Sequence, residues 1–144
     1  MSDEQPDAGP LPEWRLRSPG FLVVTGPHVI PISTAVRAGD RRIVLGLARR
    51  RETLVRLRED PGAAFALLAD DVAFTAYGQA AVLREKLGDS PNLAAIELRV
   101  ERLQDHLADG RTEMLDPARW RWLSDEAREA DKKVLAEIEA LARA

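Results

Sequence analysis

Turn residues divide the middle of this chain into short apolar segments, and this constrains the fold more than any other feature. A β-branched and aromatic run begins at Phe21 and ends at a Gly-Pro dipeptide, which is typical of a turn. Further turns are indicated at 38–40 and 70–71. Segments of this length between such turns predict antiparallel hairpins. The segments are FLVVTG (21–26), HVIPISTAV (28–36), RRIVLGLA (41–48), AAFALLA (63–69) and VAFTAYGQAAVLRE (72–85).

The next segment, LAAIELRVERL (93–103), fits two periodicities. Its apolar and charged residues alternate, as in a strand with one buried face. A helical face through every third or fourth residue is the alternative. We interpret the segment as a strand because it follows a series of predicted hairpins.

Two helices are predicted. Leu54 and Leu57 lie three residues apart among charged residues, and Pro61 ends the pattern, so a short helix follows the third strand. Near the C-terminus, Ser124 is a favourable N-cap, two acids follow it, and apolar residues recur at helical spacing. This pattern predicts an amphipathic helix over 124–143.

Together these elements predict a mainly β fold. Six strands at hairpin spacing close most economically into a small antiparallel barrel, with a short helix after strand 3 and a C-terminal helix. Residues 1–12 are rich in proline, glycine and acids, so we expect a disordered or loosely docked arm there. The rest of the chain, 13–144, is predicted to form a single domain.

Composition excludes several classes of protein. The chain has 144 residues, a net charge of −3, no cysteine, and only two histidines, His28 and His106. Disulfide frameworks, thiolate nucleophiles and cysteine zinc sites are therefore absent, and two histidines cannot form a multi-histidine metal site within one chain. No apolar run approaches the ~20 residues that cross a bilayer, and the acidic start is unlike a secretory signal. We expect a cytoplasmic protein with no metal and no membrane partner.

Positive charge is concentrated between residues 37 and 58, which include eight arginines and two acids. Arg49, Arg50 and Arg51 stand where the short helix is predicted to begin. A helix N-terminus already carries partial positive charge, so a bound anion is indicated there. With the hydroxyl of Thr53, these arginines would form a phosphate site. A solvated run of charge is the alternative, and these residues alone do not decide between the two.

Pro31 lies within an apolar strand, where it removes a hydrogen-bond donor from the sheet. On the third predicted strand, Gly46 and Ala48 leave one face flat. Together these residues would leave room for a planar ring, whereas an ordinary edge proline beside small packing residues is the alternative. His28 lies at the start of the strand that contains Pro31. It would either orient a cofactor or form a hydrogen bond with the backbone.

Two tryptophans, the second histidine and a pair of aspartates are further candidates for a functional role. Trp120 and Trp122 would share a face if extended, and would cover a bound ring, fill the core or pack across a dimer interface. His106 is expected at the surface. The Asp-Asp pair at 70–71 is interpreted as a turn and not as a pair of catalytic carboxylates.

From about Phe21 to His106 the chain resembles the pyridoxamine 5′-phosphate oxidase-like family of split barrels. PHVIPIS (27–33) is similar to the family's P-H-hydrophobic-hydrophobic-P strand, and RRIVLGLA (41–48) to its third strand. RRRETLVRLREDPGAAFALL (49–68) is similar to its basic helix, which ends in L-x-x-D-P before a buried strand. VAFTAYGQAAVLRE (72–85) is similar to a strand with a central G-x-A. The resemblance implies a six-stranded antiparallel split β-barrel.

The resemblance also implies a flavin site. In the family, the backbone of the P-H-x-x-P strand borders the flavin ring. Carried over, the residues that would line the ring are His28, Ile30, Pro31, Ile32 and Ser33.

Basic and hydroxyl residues at the start of the family's helix hold the flavin phosphate. Carried over, these are Arg49, Arg50, Arg51 and Thr53. Many FMN-binding members have a lysine where this chain has Thr53, so the positive charge would come from the three arginines.

The family further implies a homodimer with the cofactor at the subunit interface and a redox reaction on a small-molecule substrate. FMN is the expected cofactor, and the deazaflavin F420 is the alternative that related split barrels use. The chain lacks the C-terminal substrate-binding extension of true pyridoxamine phosphate oxidases, so a different substrate is expected. A non-catalytic barrel that has lost the cofactor and binds a protein or nucleic acid is a further alternative; an enzyme would have no nucleic-acid partner.

Overall fold

The computed structural model describes residues 7–49, 51–88 and 90–144. These residues form seven strands and two helices. The strands are β1 (Gly20–Val24), β2 (His28–Ile32), β3 (Val36–Arg37), β4 (Arg42–Ala48), β5 (Gly62–Ala69), β6 (Val72–Arg84) and β7 (Leu93–Asp105). The helices are α1 (Glu52–Glu59) and α2 (Asp125–Arg143).

The strands form one antiparallel sheet in the order β2-β1-β5-β6-β7-β4-β3. β2 and β3 stand at opposite ends of this order, yet they are neighbours along the chain. Four residue steps from Ile32 to Val36 span at most about 14 Å, so the sheet must curl until its edges nearly meet. Thr34 holds this closure, because its hydroxyl donates to the carbonyl of Gly46 at 3.1 Å and accepts from its N–H at 3.0 Å. The predicted mainly β antiparallel barrel is confirmed.

The structure has one strand more than the six predicted. We expected a single strand over 28–36, but residues 33–35 leave β2 and cross to the other edge of the sheet before pairing resumes at Val36. The extra strand is therefore a consequence of barrel closure. The difference does not change the fold class.

The main hydrophobic core lies inside the barrel. Ile43, Leu45 and Leu47 point into it from β4, as their alternation predicts. Ile96 on β7 belongs to the same core, and residues 93–103 lie within that strand, so the strand interpretation is confirmed over the helical one. Each such aliphatic side chain contributes about 1.5–3 kcal/mol when fully buried.

α2 packs on the outer face of the sheet. It begins as predicted, because the Ser124 hydroxyl accepts a hydrogen bond from the N–H of Ala127 at 3.1 Å. Val134, Leu135 and Ile138 are buried in a second cluster with residues of β3, β4 and β7. The predicted C-terminal helix is confirmed, and its apolar face covers part of the barrel.

The flat face predicted beside Gly46 is covered. A Cβ on Gly46 would meet Thr34 Oγ1 at 3.5 Å and Ile138 Cδ1 at 3.7 Å. The expectation that this face leaves room for a planar ring is therefore wrong at Gly46. The reason is that α2 folds back over the sheet, which the local pattern of β4 does not reveal.

β6 bends at Gly78, where its register with β7 shifts. A Cβ at Gly78 would overlap the carbonyl oxygen of Arg99, so a side chain cannot be placed there without moving the backbone. The requirement explains the glycine in the G-x-A motif of this strand. Such a bulge increases the twist that a closed sheet needs.

The described part of the predicted arm, residues 7–12, docks on the barrel. Leu11 is buried in the main core, and its N–H donates to the carbonyl of Asp40 at 2.8 Å. The Asp7 carboxylate accepts hydrogen bonds from Arg41 and from the N–H of Leu103. These bonds, that of Arg41 foremost, lower the pKa of Asp7 to about 2.

Neither α1 nor α2, the helices in the described part of the chain, has an apolar stretch that could span a bilayer.

Candidate functional site

Most of the arginines between residues 37 and 58 are paired inside the protein, which largely neutralises the local charge excess. The pairs are Arg37 with Asp40, Arg41 with Asp7, Arg42 with Glu97, Arg56 with Glu52, and Arg58 with Glu85. Among the described arginines of this segment, Arg49 and Arg51 have no carboxylate partner. Arg50, which we also predicted as a phosphate ligand, lies outside the described residues. Pairing therefore concentrates the free positive charge at one place.

Arg49, Arg51 and the first turn of α1 form what we call the arginine corner. Arg49 follows β4, and its guanidinium donates one hydrogen bond to the carbonyl of Pro91 at 3.2 Å. Arg51 is the N-cap of α1, and its side chain makes no capping hydrogen bond. Two arginines therefore lie directly before a helix start, and arginines together with the first N–H groups of a helix are a combination that binds anions.

His28 and Thr53, both predicted site residues, are in contact. His28 Nε2 lies 2.9 Å from Thr53 Oγ1, so the bond joins the start of β2 to the first turn of α1. Thr53 is fully buried. Its hydroxyl is therefore used inside the protein and has no surface for a phosphate, which corrects the direct role expected from the sequence.

The side chains of β2 alternate between the core and the outer face. Ile30 and Ile32 point their side chains into the main core, so only their backbone, which lies on an edge strand, is placed to border a ring. Val29 and Pro31 face outward and are exposed, and Ser33 beyond them is half-buried. Pro31 lies on β2, an edge strand, and both interpretations of this proline allow that position.

The exposed face of β2 continues across β1 and β5. Phe21 on β1 is paired with Pro31 on one side and with Ala66 on the other. Phe21, Val29 and Leu68 are about half exposed, at 49%, 53% and 53%. We call Phe21, Val29, Pro31 and Leu68 the outer patch. Large apolar side chains grouped in this way mark binding surfaces more often than isolated ones do.

Trp120 and Trp122 are in contact away from the arginine corner. Their rings are edge to face with centroids 5.3 Å apart, and both are partly exposed. They line a groove with the start of α2, and none of its lining residues belongs to the corner or to the outer patch. The expectation that they cover a ring bound on β2 is therefore not supported by their position.

Solved structures share this architecture. The proposed pyridoxamine 5′-phosphate oxidase from Listeria innocua aligns with a TM-score of 0.51 and 16% identity, over 62% of this chain and 88% of its own. HupZ from Group A Streptococcus aligns with a TM-score of 0.53 and 12% identity, over 69% and 90%. General Stress Protein 26 from Bacillus anthracis aligns with a TM-score of 0.51 and 14% identity, over 74% and 90%. The chain has the split-barrel fold of pyridoxamine 5′-phosphate oxidase-like proteins.

At these identities the likeness shows the fold of this split barrel and not its activity. No protein-family model and no curated protein matches the sequence.

Two residues of the split barrel's outer face were missed by the sequence analysis. Val29 lies between predicted ring residues, and Phe21 pairs with one of them across the sheet. The period of two along HVIPI would have identified Val29 as the outward neighbour of Pro31. Phe21 required the register between β1 and β2, which follows only from the length of the turn.

Proposed function

We propose that this split barrel is an FMN-binding oxidoreductase that acts as a homodimer, with the cofactor between the subunits. The observation that carries the proposal is the pairing of the arginines. Arg49 and Arg51 alone lack a carboxylate partner among the described arginines of their segment, and both lie within three residues of the first residue of α1. The His28 to Thr53 bond places the start of β2 beside that helix turn.

The arginine corner fits a phosphate. Two guanidinium groups supply forked donors, and the first turn of α1 adds backbone N–H groups and the positive end of its dipole. Thr53 acts through His28 as a positioning residue and does not touch the anion, because its hydroxyl is buried and bonded. Arg50 stays a proposed ligand on the strength of the family pattern alone.

The outer face of β2 fits the ring. From His28 the strand runs about 13 Å, at roughly 3.3 Å per residue, and presents Val29 and Pro31 outward. This apolar surface suits a flat aromatic system. The free edge of β2 offers backbone groups to the polar edge of the ring, as the family's P-H-x-x-P strand does.

The outer patch supports a second subunit at this face. Phe21, Val29 and Leu68 expose about half of their surface. A partner subunit would remove this apolar area from water at roughly 25 cal/mol per Å² and would exclude water from a ring lying on β2. The homodimer is part of the proposal for that reason.

When bound, FMN would accept or deliver the electrons, so no side-chain nucleophile is needed. The residues of the chain would bind the phosphate at the arginine corner, orient the ring along β2 and exclude water through the outer patch. The substrate would be a small molecule that reaches the exposed side of the ring.

Titration of the cofactor-free protein with FMN tests the proposal. Changing Arg49→Gln and Arg51→Gln together should weaken FMN binding by about tenfold or more, since two charge-assisted hydrogen bonds are lost. Arg111→Gln is the matched control, because Arg111 is an exposed arginine outside the corner. Unchanged affinity in the double variant would refute the phosphate assignment. A parallel titration with F420 decides between the two flavins.

One observation favours a barrel without a cofactor. Thr53 replaces the lysine of many FMN-binding relatives, and its hydroxyl is fully engaged by His28. In that case the outer patch and the corner would serve a protein or nucleic-acid partner. Salt-dependent binding of oligonucleotides together with no flavin binding would support this second function.

A further inference from the structure

A groove of about 1020 Å³ lies between residues 15–18, the start of α2 and the segment 116–123. We call residues 116–123 the strap. The volume is in the range of small-molecule sites. The groove includes no residue of the arginine corner or of the outer patch, so it is independent of the proposed flavin site.

The floor of the groove is built around Arg17. Arg17 has a φ of 67°, in the left-handed region that non-glycine residues rarely adopt. Its guanidinium Nε donates to Asp131 Oδ2 at 2.7 Å, and the Asp131 side chain is only 7% exposed. Its carbonyl accepts a hydrogen bond from Trp120 Nε1 at 2.9 Å. Backbone strain that is held from both sides is typical of a preformed site.

Two indole rings form one wall of the groove. Trp120 is fixed by its bond to Arg17, and Trp122 contacts it edge to face. Their exposed fractions are 38% and 41%. Partly exposed tryptophans that are already held in place can stack on an aromatic ligand with little further loss of entropy.

The charge of the groove is positive. Arg15, Arg17 and Arg128 are paired with carboxylates, whereas Arg119 and Arg121 have none among the described residues. Asp116 is the lining acid outside those pairs. Both free arginines line the same groove as the two tryptophans, so free positive charge and aromatic surface belong to one site.

We propose that the groove binds a nucleotide. The base would stack on the face of one of the two indole rings and meet the other at an edge, and Arg119 and Arg121 would pair with the phosphates. A ligand with both an aromatic plane and several negative charges is the class that this combination recognises. The site goes beyond the proposed flavin function and does not depend on it.

Calorimetric titration with ATP tests the proposal. The wild-type protein should bind ATP with a saturable signal, and adenosine and inorganic triphosphate should each bind more weakly than ATP. Arg119→Gln with Arg121→Gln should weaken ATP binding by about tenfold or more. Trp122→Ala should weaken it by about tenfold, because one stacking surface is lost.

Control variants separate this site from others. Arg111→Gln should leave ATP binding unchanged, because it removes an exposed arginine that does not line the groove. Arg49→Gln with Arg51→Gln should also leave it unchanged. Circular dichroism confirms that the groove variants are folded.

Several results would overturn the proposal. These are the absence of ATP binding, wild-type affinity in both groove variants, or loss of ATP binding in the corner variant alone. Equal affinity for triphosphate and ATP would show that the groove binds negative charge and does not recognise the base. Much tighter binding of a single-stranded oligonucleotide than of ATP would show that the ligand is a nucleic acid and not a free nucleotide.

Discussion

The arginine corner and the groove differ in what holds them in place. The corner lies where β4 passes into α1, and its supporting residues, Thr53 and Leu54, are buried within one helical turn. The groove is bounded by a strap without regular secondary structure, which is held by bonds between residues more than 100 positions apart. The arginine corner is therefore held in place by the barrel, whereas the groove depends on a few hydrogen bonds between distant residues.

The two sites should therefore respond differently to mutation. Damage to the barrel core should disturb the corner and the global stability together. Damage to the bonds of Arg17 should disturb the groove with a smaller loss of stability.

Leu54→Ala should cost about 2–5 kcal/mol of unfolding free energy, because Leu54 is 1% exposed and supports the first turn of α1. Leu123→Ala, in the strap, should change stability by less than about 0.5 kcal/mol, because Leu123 is 95% exposed. Urea unfolding measures both. Equal losses would show that the strap is packed as firmly as the barrel, which would contradict the difference between the two regions.

Asp131→Asn should cost about 1–3 kcal/mol, because it removes the charge that a buried carboxylate offers to Arg17. ATP binding should fall with it, while FMN binding should not. Asp40→Asn, at an exposed pair with Arg37, is the matched control and should cost at most about 1 kcal/mol. Loss of FMN binding in Asp131→Asn would mean that the two sites are coupled.

Thr53→Val should cost about 0.5–1.5 kcal/mol, because it removes the hydroxyl bonded to His28. If Thr53 positions His28, Thr53→Ser should restore both stability and FMN affinity, and the NMR shifts of the His28 ring should return to those of the wild type. An FMN affinity that follows the hydroxyl while the His28 signals stay constant would instead indicate direct contact with the ligand.

Glu97→Gln should destabilise the protein, because it removes the charge that a buried carboxylate offers to Arg42 and Arg99, and the loss should depend on pH. Burial raises the pKa of Glu97, but hydrogen bonds from Arg42 and Arg99 outweigh it, so the pKa lies below the ordinary 4.5. The folded state thus gains stability from the charged form above about pH 4.5 and loses it as the pH falls through the folded pKa.

Arg42 also approaches the last carbonyls of α2, at 3.5 Å, so Glu97 helps to tie that helix to the barrel. Thermal unfolding across the acid range should show wild type and Glu97→Gln converging below pH 4.5. A constant difference at every pH would contradict the assigned cause.

The sequence predicts the barrel well because the signals involved are local. Alternation on β4, the turn at 70–71 and the Ser124 cap each depend on a few neighbouring residues, and all three are found in the structure. Strand count was less predictable, since the break at 33–35 is imposed by closure of the sheet. The burial of Gly46 under α2 is likewise a contact between distant segments.

The candidate site was predicted only in part for the same reason. The arginine run was visible, but its internal pairing depends on acids as distant as Asp7 and Glu97. Thr53 was assigned to a ligand because its partner, His28, lies 25 positions earlier and meets it only in the folded barrel. The groove escaped prediction because the strap carries no periodicity that would place its tryptophans.

Sedimentation of the protein with FMN, recorded simultaneously by protein absorbance and by visible flavin absorbance, shows whether a dimer of this chain carries the flavin. If the corner and β2 hold FMN at a subunit interface, both signals should sediment together at twice the chain mass of 15.9 kDa. A protein boundary at the single-chain mass, with the flavin absorbance left unsedimented, would contradict the account.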